Sequence, residues 1–336
     1  MNTQTKRWIT KALPAQETAK ALATALNVNP YVAVLLAQRG MQTFEEAKSF
    51  FRPSLTELHD PFLMRDMDKA VVRLIQAIEK NERILIYGDY DVDGTTSVSV
   101  FYGFLKKYYT NIEYYIPDRY KEGYGVSKAG MEHARDTHAK LIVSLDCGIR
   151  SVEMVQLAQS FGIDFIICDH HNPGEELPPA VAILDPKQKN CPYPSKELSG
   201  CGVGFKLLQA LCMRAGYSSD VLFEEIDLLA ISICSDIVPI TGENRVFTYY
   251  GIQKLNQAPR PGIQAIIDVS GLKKAFDVNS IVFTIGPRIN AAGRIDHAFA
   301  AVDLLLASNK LDAANFAGTI NDHNLVRREF DETITG

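Results

Sequence analysis

Two textures alternate along the chain. Residues 15–26, 30–39, 44–51 and 67–80 space their apolar side chains three and four apart between polar breaks. That is the period of helices that bury one stripe. From residue 83 the pattern changes: segments 83–88 (RILIYG), 112–117, 141–145, 164–168 and 181–184 are short, β-branched and apolar. Such runs predict strands covered on both faces. Amphipathic stretches at 95–109, 127–137 and 150–161 lie between most of them. The alternation predicts an α/β fold, with a mainly parallel five-stranded sheet flanked by helices and helical segments at both ends. Residues 203–336 return to helical spacing, with Pro259, Pro261 and Pro287 marking turns. Residues 311–335 read as one long polar helix with no evident partner, the start of a linker in a longer parent chain. The expected organisation is an N-terminal helical region (1–80), an α/β domain (81–245), a helical closing segment carrying a GPRINAAGRI loop (246–310) and the linker helix (311–336).

Composition narrows the class. Of 336 residues, 46% are hydrophobic and 22% charged, which excludes a disordered, collagen-like or disulfide-miniprotein chain. A net charge of -5 argues at first against a nucleic-acid binder, which usually carries a basic surface. The charge is unevenly spread, however. Residues 81–258 hold 16 basic and 23 acidic side chains, a net of -7, whereas residues 1–80 carry a net of +3. The six cysteines (147, 168, 191, 201, 212 and 234) form no CxxC pair and no zinc spacing. They read as reduced core residues of a cytoplasmic protein. The N-terminus has no apolar run of signal-peptide length, and no apolar stretch approaches the ~20 residues of a membrane span.

The densest acidic signal is Asp89-Tyr90-Asp91-Val92-Asp93-Gly94, directly after RILIYG. Alternating carboxylates repel unless a cation neutralises them. A calcium EF-hand loop would need Glu at its twelfth position, where this chain has Val100. Two further predicted strands end in candidate ligands, one at Asp146 and one at Asp169-His170-His171. In a doubly wound sheet, ligands bind at the carboxyl ends of the strands. Asp236, in the apolar segment ICSDIVP, is a costly place for an unpaired carboxylate. Taken singly, each of these has an ordinary reading as a turn, cap or loop residue; their joint placement predicts a metal site. Carboxylates with one or two imidazoles suit Mn²⁺ or Mg²⁺ better than zinc. A site this acidic can hold two cations ~3.5–4 Å apart, the arrangement that serves displacement at phosphorus.

GDYDVDGTTS, SLDCGI, CDHH and SDIVP resemble the four motifs of the DHH phosphoesterase superfamily. The PDRYKEGYGVS, LSGCGVGFKL and GPRINAAGRI stretches, with the flank from NPYVAVLLAQRG to RDMDKAV, are similar to its RecJ-type single-strand-DNA exonucleases. The resemblance covers roughly residues 8–336 and implies a role for each residue. Asp89 and Asp91 would bind one metal, Asp93, His170 and Asp236 the other, and Asp146 would bridge both. His171 would face the scissile phosphate, and Asp169 would orient its neighbours. Tyr87 stands where related pyrophosphatases keep a histidine ligand, a loss that Asp89 would compensate. Arg288, Asn290 and Arg294, with Arg119, would contact phosphate or DNA. The Gly200-Cys201-Gly202-Val203-Gly204 run would pack a helix near the site. The DHHA1 and OB-fold domains that usually follow in RecJ-type proteins do not appear.

The resulting expectation is a catalytic core acting 5′ to 3′ on single-stranded DNA, releasing mononucleotides with two Mn²⁺ or Mg²⁺ ions, in DNA repair and recombination. It would be monomeric, with single-strand-binding protein and a helicase as partners and no membrane. The alternatives are a DHH phosphodiesterase for short oligonucleotides or cyclic dinucleotides, and a non-catalytic replication scaffold. Five of the aspartates (89, 91, 93, 146 and 236) fall in the acidic segment, so the negative charge belongs on this reading to an empty metal site, not to the face that meets DNA.

Overall fold

The computed structural model describes residue 7 and residues 9–295 and 299–335; for 292–295, 323 and 326–335 it describes the backbone alone. It contains two compact units, Met1–Glu57 and Leu58–Gly336. In the first, α1 (Gln16–Leu26) ends at Asn27 in the left-handed conformation. The next helix, α2 (Pro30–Ala37), starts with Asn29 accepting the Tyr31 amide and Pro30 in its first turn. A Thr43/Glu46 capping box opens α3 (Phe44–Phe51). Leu22, Ala33, Leu36, Met41 and Ala47 form the core of this unit.

The second unit holds α4 (Met67–Glu79) and then the alternating segment: β1 (Ile84–Gly88), α5 (Val92–Leu105), β2 (Ile112–Tyr115), α6 (Lys128–Asp136), β3 (Leu141–Leu145), α7 (Val152–Ser160), β4 (Asp164–Cys168) and β5 (Ala182–Leu184). The five strands pair in the order β2-β1-β3-β4-β5, and every pair is parallel. Successive residues of each strand feed opposite cores. Ile84, Ile86, Val143 and Ile166 face the core shared with α4, α5 and the later helices, while Leu85, Ile142, Phe165 and Ile167 face α6 and α7. The order reverses direction between β1 and β3, the topological switch point at whose carboxyl ends such sheets bind ligands.

The helical remainder is α8 (Gly200–Ala215), α9 (Ser219–Phe223), α10 (Ile226–Ser235), α11 (Gly242–Gln257), α12 (Pro261–Ser270), the short α13 (Val278–Ser280), a wide turn at Ile281–Ile285, α14 (Gly286–Ile295), α15 (Phe299–Leu306) and α16 (Lys310–Thr335). Two expectations change here. GPRINAAGRI is a helix, α14, not a loop. Proline is tolerated in a first turn, and the bare Cα of Gly286 sits where a Cβ would come within 2.8 Å of Ser235 Oγ. The polar helix at 311–335 does have partners: Ala313, Ala317 and Ile320 bury one stripe of α16 against α12, α14 and α15. Among the described residues no single helix is long and apolar enough to cross a membrane.

Candidate metal centre

Three strand ends converge at the switch point. Asp89, Tyr90 and Asp91 follow β1, and Asp91 caps α5 by accepting the Gly94 amide at 3.0 Å. The helix therefore starts at Val92, three residues before the amphipathic stretch predicted at 95–109, and its first turn carries Asp93 into the interior. There Asp93 Oδ2 accepts the Gly200 amide (2.7 Å), and Oδ1 accepts the Cys201 amide (3.0 Å) and the Ser232 hydroxyl (2.6 Å). The Gly-rich run is thus the N-terminus of α8, whose amides and dipole hold a carboxylate.

Two glycines let the acidic loops approach their neighbours closely. A Cβ on Gly94 would lie 2.3 Å from the Asp89 carbonyl oxygen, and one on Gly200 2.5 Å from Asp146 Cβ. Asp146 follows β3 with φ +61. Its amide donates to the Cys168 carbonyl (2.9 Å), which extends the β3–β4 pairing by one bond as its side chain turns into the site.

After β4, Asp169 accepts the amides of Ile149 (2.9 Å), His170 (2.7 Å) and His171 (3.1 Å) and holds His171 Nδ1 at 2.8 Å. His170 Nε2 lies 3.2 Å from Asp146 Oδ1, 3.5 Å from Asp236 Oδ2 and 3.7 Å from Asp93 Oδ2. Asp236 arrives from elsewhere, as the C-terminal cap of α10. Asp93, His170 and Asp236 form one cluster whose ligand atoms lie within 4.8 Å of one another; Asp146, His170 and His171 form a second.

The electrostatics are those of carboxylates crowded together in a buried setting. Burial, then Asp91, pushes Asp89 up to about 7; burial, then Asp93 and Asp91, pushes Asp236 up to about 8. Asp91 is raised by burial, and Asp146 is raised well above the usual carboxylate range by burial and by Asp93 and Asp91. Burial lowers His170, whereas the Asp169 hydrogen bond raises His171. Asp89 Oδ2, Asp146 Oδ1, Asp236 Oδ2 and both ring nitrogens of His170 are buried with no hydrogen-bond partner. Buried polar atoms are ordinarily satisfied, and a donor set of carboxylate oxygens and imidazole fits a divalent cation.

Other expected residues lie around this cluster. Tyr87 is wholly buried, and its hydroxyl bonds Gly125 and Ser127 in the loop before α6. The Arg119 guanidinium stacks over the Tyr90 ring at 4.9 Å. Arg288, on α14, donates to Asn321 of α16 and to the Thr284 carbonyl. Asn290 is half-buried on the same helix, and the side chain of Arg294 lies outside the described residues. One residue escaped the sequence reading. Tyr124, two residues after Glu122 in PDRYKEGYG, brings its hydroxyl to 3.4 Å from both His171 Nε2 and the Asp146 carbonyl.

Residues 83–233, which contain all of these strand ends, match the model of the DHH family, N-terminal domain. The chain belongs to the DHH family. Its DHH domain and flanks are 40% identical over 324 residues to the single-stranded-DNA-specific exonuclease RecJ of Bacillus subtilis, covering 96% of this chain and 40% of that protein. The RecJ of Escherichia coli is 34% identical over 317 residues, covering 90% and 54%. A crystal structure of RecJ from Thermus thermophilus in complex with Mn²⁺ superposes with a TM-score of 0.84 at 26% identity, covering 98% of this chain and 47% of that one. The chain thus spans about half the length of the relatives it matches.

Proposed function

We propose that this chain is the catalytic core of a RecJ-like exonuclease that hydrolyses single-stranded DNA from the 5′ end to mononucleotides. The observation that carries the reading is the buried knot of unpaired donor atoms around His170 Nε2, at the strand ends of a DHH domain. In this proposal Asp89 and Asp91 would hold one cation, Asp93, His170 and Asp236 would hold a second, and Asp146 would serve both. Mn²⁺ or Mg²⁺ bound there would make a water more acidic near neutral pH and offset charge on the phosphoryl oxygens.

The remaining residues orient and grip. Asp169 fixes the His171 ring through Nδ1, which turns Nε2 toward the scissile phosphate. The amides of α8 and the Ser232 hydroxyl keep Asp93 from rotating. Arg119, Arg288, Asn290 and Arg294 are the proposed phosphate contacts, reading the backbone and not the bases. The setting is DNA repair and recombination in the cytoplasm, where the six unpaired cysteines would stay reduced. The chain would act as a monomer, with single-strand-binding protein and a helicase as partners.

The test is hydrolysis of 5′- and 3′-labelled single strands with Mn²⁺, Mg²⁺ or EDTA. Loss of 5′ label as mononucleotide, abolished by EDTA, is expected. Degradation that ignores EDTA sinks the metal mechanism, and degradation that starts at the 3′ end sinks the polarity.

A further inference from the structure

A cavity of about 390 Å³ opens beside His171, and Tyr124 forms part of its wall with Gly148, Arg150 and Asn172. Tyr124 stands on the loop between β2 and α6 and is half exposed. Its ring is set edge-on against Tyr90 and His171, with centroids 6.0 and 6.1 Å away. The hydroxyl therefore has a defined position. That position is crowded with acceptors: His171 Nε2 and the Asp146 carbonyl, each at 3.4 Å, with the Asp89 carboxylate close enough for its charge to act on the phenol. A phenol has one proton to donate. His171 Nδ1–H donates to Asp169, which leaves Nε2 of the neutral ring as an acceptor.

The two 3.4 Å contacts are long for hydroxyl hydrogen bonds. Catalytic hydrogen bonds are often loose before substrate arrives and tighten in the complex. Once Asp89 is committed to a cation it competes less for the proton. A phosphoryl oxygen gaining charge in the transition state is a stronger acceptor than a backbone carbonyl or a neutral imidazole.

We infer that Tyr124 is a catalytic hydrogen-bond donor, whose hydroxyl leaves its protein acceptors and donates to a non-bridging oxygen of the scissile phosphate beside His171. The inference rests on the phosphodiester reading above. No proton is transferred: the O–H stays on tyrosine, and water still supplies both the attacking oxygen and the proton that ends on the leaving 3′ oxygen.

The competing role is a strut that merely ties the loop to the metal centre. Tyr124→Phe separates the two because it keeps the ring and its packing. We expect kcat on a 5′-phosphorylated single strand to fall roughly 10–100-fold, with KM and the calorimetric Kd for Mn²⁺ within about twofold of the parent. A phosphorothioate at the scissile linkage, in the more damaging diastereomer, is expected to slow the parent protein more than Y124F. In the metal-free protein the ¹⁵N shift of His171 Nε2 is expected to move. An unchanged kcat, or a loss of activity matched by an equal loss of Mn²⁺ affinity with the thio effect intact, overturns the donor role. If the parent protein does not cleave single-stranded DNA at all, the phosphodiester reading fails and takes the inference with it. Parent activity equalled by Y124F overturns the inference alone.

Discussion

Helix α10 carries an aspartate near each end, one buried and one half-buried, and the two sit in opposite electrostatic settings. Asp227, in the first turn, is met by Arg260 through two hydrogen bonds (Nε–Oδ2 2.8 Å, Nη2–Oδ1 2.6 Å) and by Lys254 at 3.7 Å. Burial alone would raise it, but these cations hold it below the usual carboxylate range. Asp236 caps the other end, where the helix dipole is unfavourable to an anion, and its nearest neighbours include Asp93 and Asp91. Where a carboxylate serves the fold, the chain supplies the positive charge. At the strand ends it withholds that charge and leaves donor atoms unpaired. The acidity of the middle segment is therefore of two kinds, one compensated from within and one reserved for a ligand.

The sharpest break in this contrast is at Asp146. Asp146→Asn is expected to lower kcat by about a thousandfold or more, since both proposed cations lose a ligand; rates with saturating Mn²⁺ check it. Arg260→Ala attacks the other end. It leaves Asp227 and Glu225 buried without their main partner, and urea denaturation is expected to show a loss of about 3–5 kcal/mol. Activity at low temperature is expected to survive, because the metal centre is untouched.

Asp236→Asn is expected to do the reverse: it removes activity yet stabilises the metal-free protein, by on the order of 2 kcal/mol at pH 8. The pH dependence follows from the same shifts. The folded value of Asp236 is about 8, against ~4 in the unfolded chain. The folded protein thus binds the extra proton between those values, and in EDTA its stability is expected to rise as pH falls from 8 toward 5. Asp227 has the opposite sign. Its stabilisation is complete above ~4 and drains only as pH falls through its lowered folded value. Melting temperatures of the parent and Asp236→Asn across pH 5–8 test the first limb, and a flat profile in the parent would contradict it. The smallest effect is expected from Ser232→Ala, which deletes the 2.6 Å hydrogen bond to Asp93. Mn²⁺ affinity should weaken about tenfold, as calorimetry would show.

Much of this was legible in the sequence because it is local. Strands buried on both faces write apolar runs, and a carboxylate or imidazole just past a strand end can be placed there from its neighbours alone. What pairs across the chain was not legible. The groups that hold Asp93 come from Gly200 and Ser232, 107 and 139 residues away. Neither residue announces its partner, so the Gly-rich run read only as helix packing. The start of α5 was misplaced because that helix is buried on nearly every side, which erases the amphipathic period. GPRINAAGRI read as a loop because Gly and Pro punctuate chains, yet here Gly286 permits close approach to Ser235 and Pro287 starts the helix. Tyr124 was passed over because an aromatic in a Gly-rich loop carries no local sign of what its hydroxyl touches.

Gly94 and Gly200 carry a consequence for how such a centre can change over generations. Alanine is the smallest step available to glycine, and at either place its extra carbon would intrude on the backbone or Cβ of Asp89 or Asp146, both proposed ligands. The centre has no neutral single-substitution neighbours there. Its geometry cannot drift by small increments, and any new arrangement at these positions has to be reached through paired changes that also move the β1 or β3 turn. A library aimed at altering substrate preference is best spent on the rim of the cavity, with these two codons held constant.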